Sequence, residues 1–211
     1  MSEPTMSMNK VIHGAVRRDL DRFDAALRVF TDGDTARAAD LHRAWANFDW
    51  QLTHHHEGEH EIAWPALRAV GVADADITRF DEEHDAMAAA LAEARERMDA
   101  LSSSATSADA DAAAAAVGRL KAATLPHLAA EEELTEPLFG EHHDHPAMKK
   151  MVKQFGKQSP MVGGVFFAWL LDGSPAEETA ALRSSVPGPV LAILTGVFGR
   201  RYKKEIAPVW A

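Results

Sequence analysis

HHEGEHEIAWPAL, residues 55–67, recurs as a pattern in HLAAEEELTEPLF, residues 127–139. Both read H-x-x-x-E-x-E-x-x-x-P, so His55, Glu59, Glu61 and Pro65 match His127, Glu131, Glu133 and Pro137. Residues at i and i+4 share a helix face, and each H-x-x-x-E unit therefore offers one imidazole and one carboxylate to the same side. A further histidine precedes each copy at nearly the same distance: His13 lies 42 residues before His55, and His84 lies 43 before His127. The chain reads as two similar helix pairs, each giving one His, then a His with a Glu. Pro65 and Pro137 each interrupt a helical hydrogen bond beyond the pair and are expected to bend their helices around it.

Working outward, four segments carry helical periodicity: Met6–Phe30, Ala36–Val70, Ala73–Leu101 and Asp109–Phe139. TDGDT at 31–35, Gly71, the serine-rich SSSATS at 102–107 and Gly140 punctuate them. Each segment has an apolar stripe at alternating spacings of three and four, for example Val16, Leu20, Phe23, Leu27 and Phe30. The second runs through Leu41, Trp45, Phe48, Leu52 and Ile62, and the third through Ile77, Phe80, Met87, Leu91 and Ala94. The fourth has Ala113, Val117, Leu120, Leu134 and Leu138. Short turns and four amphipathic segments predict an all-α fold, an antiparallel up-and-down four-helix bundle with a C-terminal helical extension. The expected division is 1–140 for the bundle and 141–211 for two or three further helices packed on it.

The stripes are interrupted by six ionisable residues: His13, His55, Glu59, His84, His127 and Glu131. A single buried histidine is ordinarily a hydrogen-bonded core residue. Two buried carboxylates among four imidazoles are different, because an unpaired buried charge costs several kcal/mol. Distances from the turns agree as well. His13 lies 19 residues before Asp32 and His55 lies 23 after it; Glu59 lies 12 before Gly71 and His84 lies 13 after it. Equal distances from a turn mean equal heights in an up-and-down bundle, so the six are expected to meet in one layer. Four imidazoles and two carboxylates exceed what one tetrahedral zinc uses. They suit two first-row ions, each taking two histidines with Glu59 and Glu131 bridging, iron first and manganese next.

Other polar residues have plainer readings. His54, His56 and His60 flank the pair off its face, and His42 points nearly opposite; all are expected at the surface or rim. The spacing of Glu57 and His60 is a ferritin-type ExxH without a counterpart in the fourth segment. His142, His143 and His145 belong to a solvated loop, and the acidic runs 81–83 and 131–133 are solvated faces apart from Glu131. Trp45 and Phe48 are expected to pack beside the site. Tyr202, the single tyrosine, has no evident site role.

Composition closes off several classes. There is no cysteine, which excludes disulfides, iron–sulfur clusters, thiolate zinc and cysteine nucleophiles. A net charge of -10 argues against nucleic acid as a partner. The opening MSEPTMSMNK lacks a secretory pattern, and the apolar runs 160–171 and 186–198 fall short of the roughly 20 residues that span a bilayer. A cytoplasmic protein, monomeric or homodimeric and without a membrane partner, is expected. The basic RRYKK after an apolar run also suits a peripheral membrane helix, but core helices are the preferred reading of this tail.

The pattern His13, His55-x-x-x-Glu59, His84, His127-x-x-x-Glu131 resembles the signature of hemerythrin-like HHE proteins, over roughly residues 6–140. The resemblance implies a non-haem di-iron centre, oxo- or hydroxo-bridged, with bridging carboxylates, with manganese or zinc as secondary occupants. It also implies reaction with oxygen, peroxide or nitric oxide, as in oxidative stress. Two departures stand out. Oxygen-carrying hemerythrins have a second histidine one turn after the third-helix histidine, where this chain has Ala88, and HxxxxD in the fourth helix, where it has HxxxE. Fewer imidazoles leave more open coordination, which favours redox turnover or sensing over oxygen carriage. The alternatives are a peroxide- or NO-consuming oxidoreductase, a non-enzymatic sensor, carrier or iron store, and a metal that only staples the helices.

Overall fold

A computed structural model describes residues 6–211. The first five positions lie outside it, and with them the start of the segment read for a secretory pattern and of the 1–140 division. The described residues are helical, with no strand among them. α1 spans Met8–Arg28, and α2 spans Thr35–Gly58 and continues through a π-helical turn, Glu59–Ala63, into α3, Trp64–Ala69. α4 is Asp74–Ser104 and α5 is Ser107–Glu141. Side chains cap three of the four starts: Ser7, Asp34 and Thr106 accept from the amides of Lys10, Arg37 and Asp109. α4 instead begins with Asp74 and Asp76 at its positive end.

The long helices pack in a ring of neighbours, with α1 against α2 and α5, α2 against α4, and α4 against α5. The stripes point inward: Val16, Leu20, Phe23 and Leu27 are buried with Leu41, Trp45, Phe48 and Leu52. The turns after α1 and α4 meet at one end, where the Gly33 amide donates to Ala105 O at 2.7 Å and the Ser107 amide to Asp32 Oδ1 at 2.7 Å.

Several boundaries differ from the sequence reading, each for a local reason. The serine-rich stretch is not a six-residue loop. Ser102–Ser104 complete α4, and the turn is made by Ala105, in the left-handed region at φ 50, and Thr106. Gly140 does not stop α5, which runs one residue further. In the second segment the Trp64 amide donates to Glu59 O, a five-residue step, and Pro65 has no amide to offer. The extra residue rotates the helix, so Ala63 and Trp64 enter the core while Ile62 is only partly buried.

After α5 come α6 (Pro146–Phe155), α7 (Pro160–Leu171), α8 (Ala176–Ser185) and α9 (Gly188–Ile193). A π-helical turn (Leu194–Phe198), α10 (Arg200–Glu205) and a 3-10 turn (Ala207–Trp210) follow. This is more, and shorter, elements than the two or three helices expected. No single helix among the described residues is long and apolar enough to cross a membrane. α6 covers α3 with Met148 and Met151. α7 and the second π-helical turn cross closely: a Cβ on Gly199 would lie 2.8 Å from Gly164 O.

A polar knot fastens this tail to α1. Asp19, 3 % exposed, accepts from the Trp169 indole at 2.7 Å and from Arg18 and Arg22 at 3.2 Å. Arg22 also reaches Asp172, which takes the Tyr202 hydroxyl at 2.9 Å. Trp210 lies edge-on to Phe23. Removing the shared acceptor would leave the indole unmatched and take one charged partner from each of Arg18 and Arg22, which keep Leu170 O, Trp169 O and Asp172. Asp19→Ala is therefore expected to cost about 3 kcal/mol in urea unfolding, with hydrogen-exchange protection lost first across α7. Asp19→Asn, which still accepts from the indole, should cost less.

Candidate metal centre

The apolar core is interrupted by one polar layer. Below it on the ring helices lie Leu52, Met87 and Leu128; beyond it lie Trp64, Phe80 and the α6 contacts. His13, Glu59, His84, His127 and Glu131 are all buried, and the His55 side chain is 6 % exposed. The six residues singled out in sequence come together. His13 Nε2 faces His55 Nε2 at 3.1 Å, and His84 Nε2 faces His127 Nε2 at 3.0 Å. Glu59 lies between the pairs, with Oε1 3.1 Å from His55 and Oε2 3.4 Å from His84. Glu131 presents one oxygen to both, Oε2 at 3.3 Å from His13 and 3.7 Å from His127. Its Oε1 accepts from the Asn9 amide at 3.0 Å.

Two of the remaining ring nitrogens are held from outside. His13 Nδ1 lies 2.9 Å from Glu132, itself gripped by Arg17, and His127 Nδ1 lies 2.7 Å from Glu83. A carboxylate at Nδ1 holds that proton and turns the Nε2 lone pair inward, as metal-binding imidazoles require. Glu83 and Glu132 sit within acidic runs that sequence assigned to solvent. Their only signal was adjacency to His84 and Glu131, which cannot distinguish an outward from a sideways carboxylate. The aromatic walls also differ from expectation. Trp64 stacks on His84 and Phe80 meets His127 edge-on, whereas Trp45 and Phe48 pack around Phe23 further along the core. Ala88 is exposed, and Met87 fills the buried position nearest one turn beyond His84.

Of the flanking histidines, His54 stacks on Trp50 at the surface, His60 pairs with Asp81, and His42 pairs with Asp99. His143 bonds the end of α5, and His145 caps α6. His56 departs from the rim reading: its ring stacks on His84 at 4.1 Å.

Electrostatics mark the layer as strained without a cation. Burial pushes Glu59 well above the ordinary carboxylate range, and the Glu131 charge pushes it further. Burial would raise Glu131 too, but His13, 3.3 Å away, holds it below that range. Burial lowers His55 well below the usual imidazole value, and takes His84 down to about 4. Neither oxygen of Glu59, nor Glu131 Oε2, accepts a hydrogen bond of good geometry. Orphaned carboxylate oxygens beside paired imidazole lone pairs, without a thiolate, are the donor set of a first-row or divalent metal ion. His13, His55, Glu59 and Glu131 have ligand atoms mutually within 4.8 Å, and so do His56, Glu59 and His84. The residues present therefore fit a cation.

One consequence concerns the metal-free protein. The folded-state pKa of Glu59 is raised, so its contribution is most favourable below about 4.5 and is lost as pH rises through the folded value. Glu59→Gln is expected to stabilise the metal-free chain by about 1–3 kcal/mol near neutral pH, with the gain shrinking towards pH 4. Thermal melts in chelator across pH would show it; a variant less stable than the parent at pH 7 would refute the assignment of Glu59 as an unmet charge.

No curated protein and no solved structure matches the chain. The family described as Hemerythrin HHE cation binding domain matches residues 9–139, a span that runs from α1 almost to the end of α5 and takes in the whole polar layer. With that match over more than half its length, and a buried His/Glu cluster able to hold a cation inside the matched span, the chain belongs to the hemerythrin HHE cation-binding family.

Proposed function

We propose that the chain is a non-haem di-iron protein that reacts with or binds peroxide, O2 or NO in redox or nitrosative defence. The observation that carries this reading is the doubling of the donor set. Two imidazole pairs, at 3.1 and 3.0 Å, are spanned by a single carboxylate that turns a different oxygen to each. Two nitrogen pairs so spanned suit two cations better than one, and iron, with manganese next, is the usual occupant of paired carboxylate and imidazole sites in helix bundles. When bound, the ions supply redox equivalents and open coordination positions for a small ligand.

The remaining work falls to the chain. His13 and His55 would hold one cation and His84 and His127 the other, with Glu59 and Glu131 offering carboxylate oxygens between them. Glu132 and Glu83 hold the Nδ1 protons of His13 and His127, fixing each ring's tautomer and direction. Trp64 and Phe80 keep water from the His84–His127 side. An antiparallel up-and-down bundle over residues 1–140 is the frame, and residues 141–211 are a helical extension packed on it.

A second reading, a non-enzymatic sensor of the same ligands, is favoured by one feature. The tail is fastened through Asp19, six residues after His13 on the same helix, so a shift of α1 would be felt at Trp169 and Asp172.

Metal analysis and optical spectra of protein expressed with iron, before and after peroxide, test both. Two irons per chain with catalytic peroxide loss support the enzyme, and two irons with a stable, reversible spectral change support the sensor. An iron-free preparation that takes up no iron on reconstitution would sink both. Glu83→Ala or Glu132→Ala should weaken iron binding about 10–100-fold while leaving the helical content intact.

A further inference from the structure

His56 lies one residue after His55, so along α2 its side chain is rotated by about 100° from that of His55. α2 packs between α1 and α4, and the rotation sends the two rings to opposite halves of the layer. His55 meets His13 from α1, while His56 stacks on His84 from α4, with ring centroids 4.1 Å apart and planes 18° from parallel. The His127 ring stands edge-on to it at 6.2 Å. His56 Nε2 is buried and makes no hydrogen bond. An unpartnered buried nitrogen costs about 1–3 kcal/mol, and a purely packing role would leave that cost unanswered. Its ligand atom instead lies within 4.8 Å of ligand atoms of both Glu59 and His84, which are also that close to each other.

We propose that His56 is a fifth imidazole ligand of the centre, its ring turning out of the stack on His84 to bring Nε2 to the cation held by His84 and Glu59. Consecutive histidines followed by Glu59 then form one unit. His55 serves one position, His56 the other, and Glu59, four residues after the first and three after the second, lies under both. The two cation positions become unequal, with three nitrogens beside His84 and two beside His13. This inference rests on the reading of the layer as a two-cation site.

Titration of the metal-free full chain with Co2+, followed by its visible ligand-field bands, tests it. The parent protein should take two equivalents. His56→Gln should keep the first and bind the second about 100-fold more weakly or worse, since loss of an outer partner alone costs about 10–100-fold. His54→Gln, in the same histidine run but exposed and stacked on Trp50, should behave as the parent. His56→Gln with parental affinity and unchanged bands would overturn the proposal while leaving the two-cation reading intact, whereas a parent that takes up no Co2+ would overturn both. Should His56→Gln fail to fold, histidine ring-nitrogen NMR of the 15N-labelled parent decides. On Zn2+ loading five Nε2 resonances should take the metal-bound shift, and a His56 resonance that stays in place refutes the assignment.

Discussion

A carboxylate sealed between imidazole pairs is the constraint around which this molecule is arranged. Glu59 is 3 % exposed and has no hydrogen-bond donor of good geometry. Left alone, such a group would take up a proton or draw in water. Trp64 and Phe80 wall one side, and apolar residues of the ring helices lie above and below the layer. A cation is the partner that the geometry admits.

The two carboxylates are not equivalent. Glu131 shares its charge with His13 on one oxygen and the Asn9 amide on the other, so it is partly satisfied before any ion arrives. Glu59 is not, and the burden of the metal-free state falls on α2. That helix is also the one with a π-helical turn at Glu59 and a proline two residues after the turn. The extra residue swings Trp64 inward against His84 without moving His55 or Glu59 off the layer, so one local irregularity supplies both the ligands and their wall.

Rigidity is supplied from outside the layer. Arg17, Glu132 and His13 form a chain from the surface of α1 and α5 to the centre, and Glu83 does the same for His127. Further along α1, Asp19 collects Arg18, Arg22 and the Trp169 indole, so the helix that carries His13 is held by the tail as well as by its neighbours. Six residues separate His13 from that anchor, less than two helical turns. Tail packing and ligand placement are consequently properties of one helix rather than of two independent units.

Sequence alone sufficed for the helical class, the four long segments and the convergence of six side chains. The reason is that a repeated i, i+4 His/Glu pair inside an apolar stripe is costly unless such groups meet, and distances from turns set their heights. Sequence could not reach the roles of Glu83, Glu132 and Asn9, because their directions depend on how neighbouring helices rotate against one another. It misplaced Trp45 and Phe48 beside the site and left Trp64 unremarked, since a period of 3.6 residues cannot register the π-helical step. It put His56 at the rim for a related reason: one turn of helix has two sides that face neighbours, and only the packing of α2 between α1 and α4 decides that consecutive histidines both point inward. The shape of the tail was likewise settled by tertiary structure, where Asp19 and the glycine crossing at Gly164 and Gly199 draw short, weakly periodic segments onto α1.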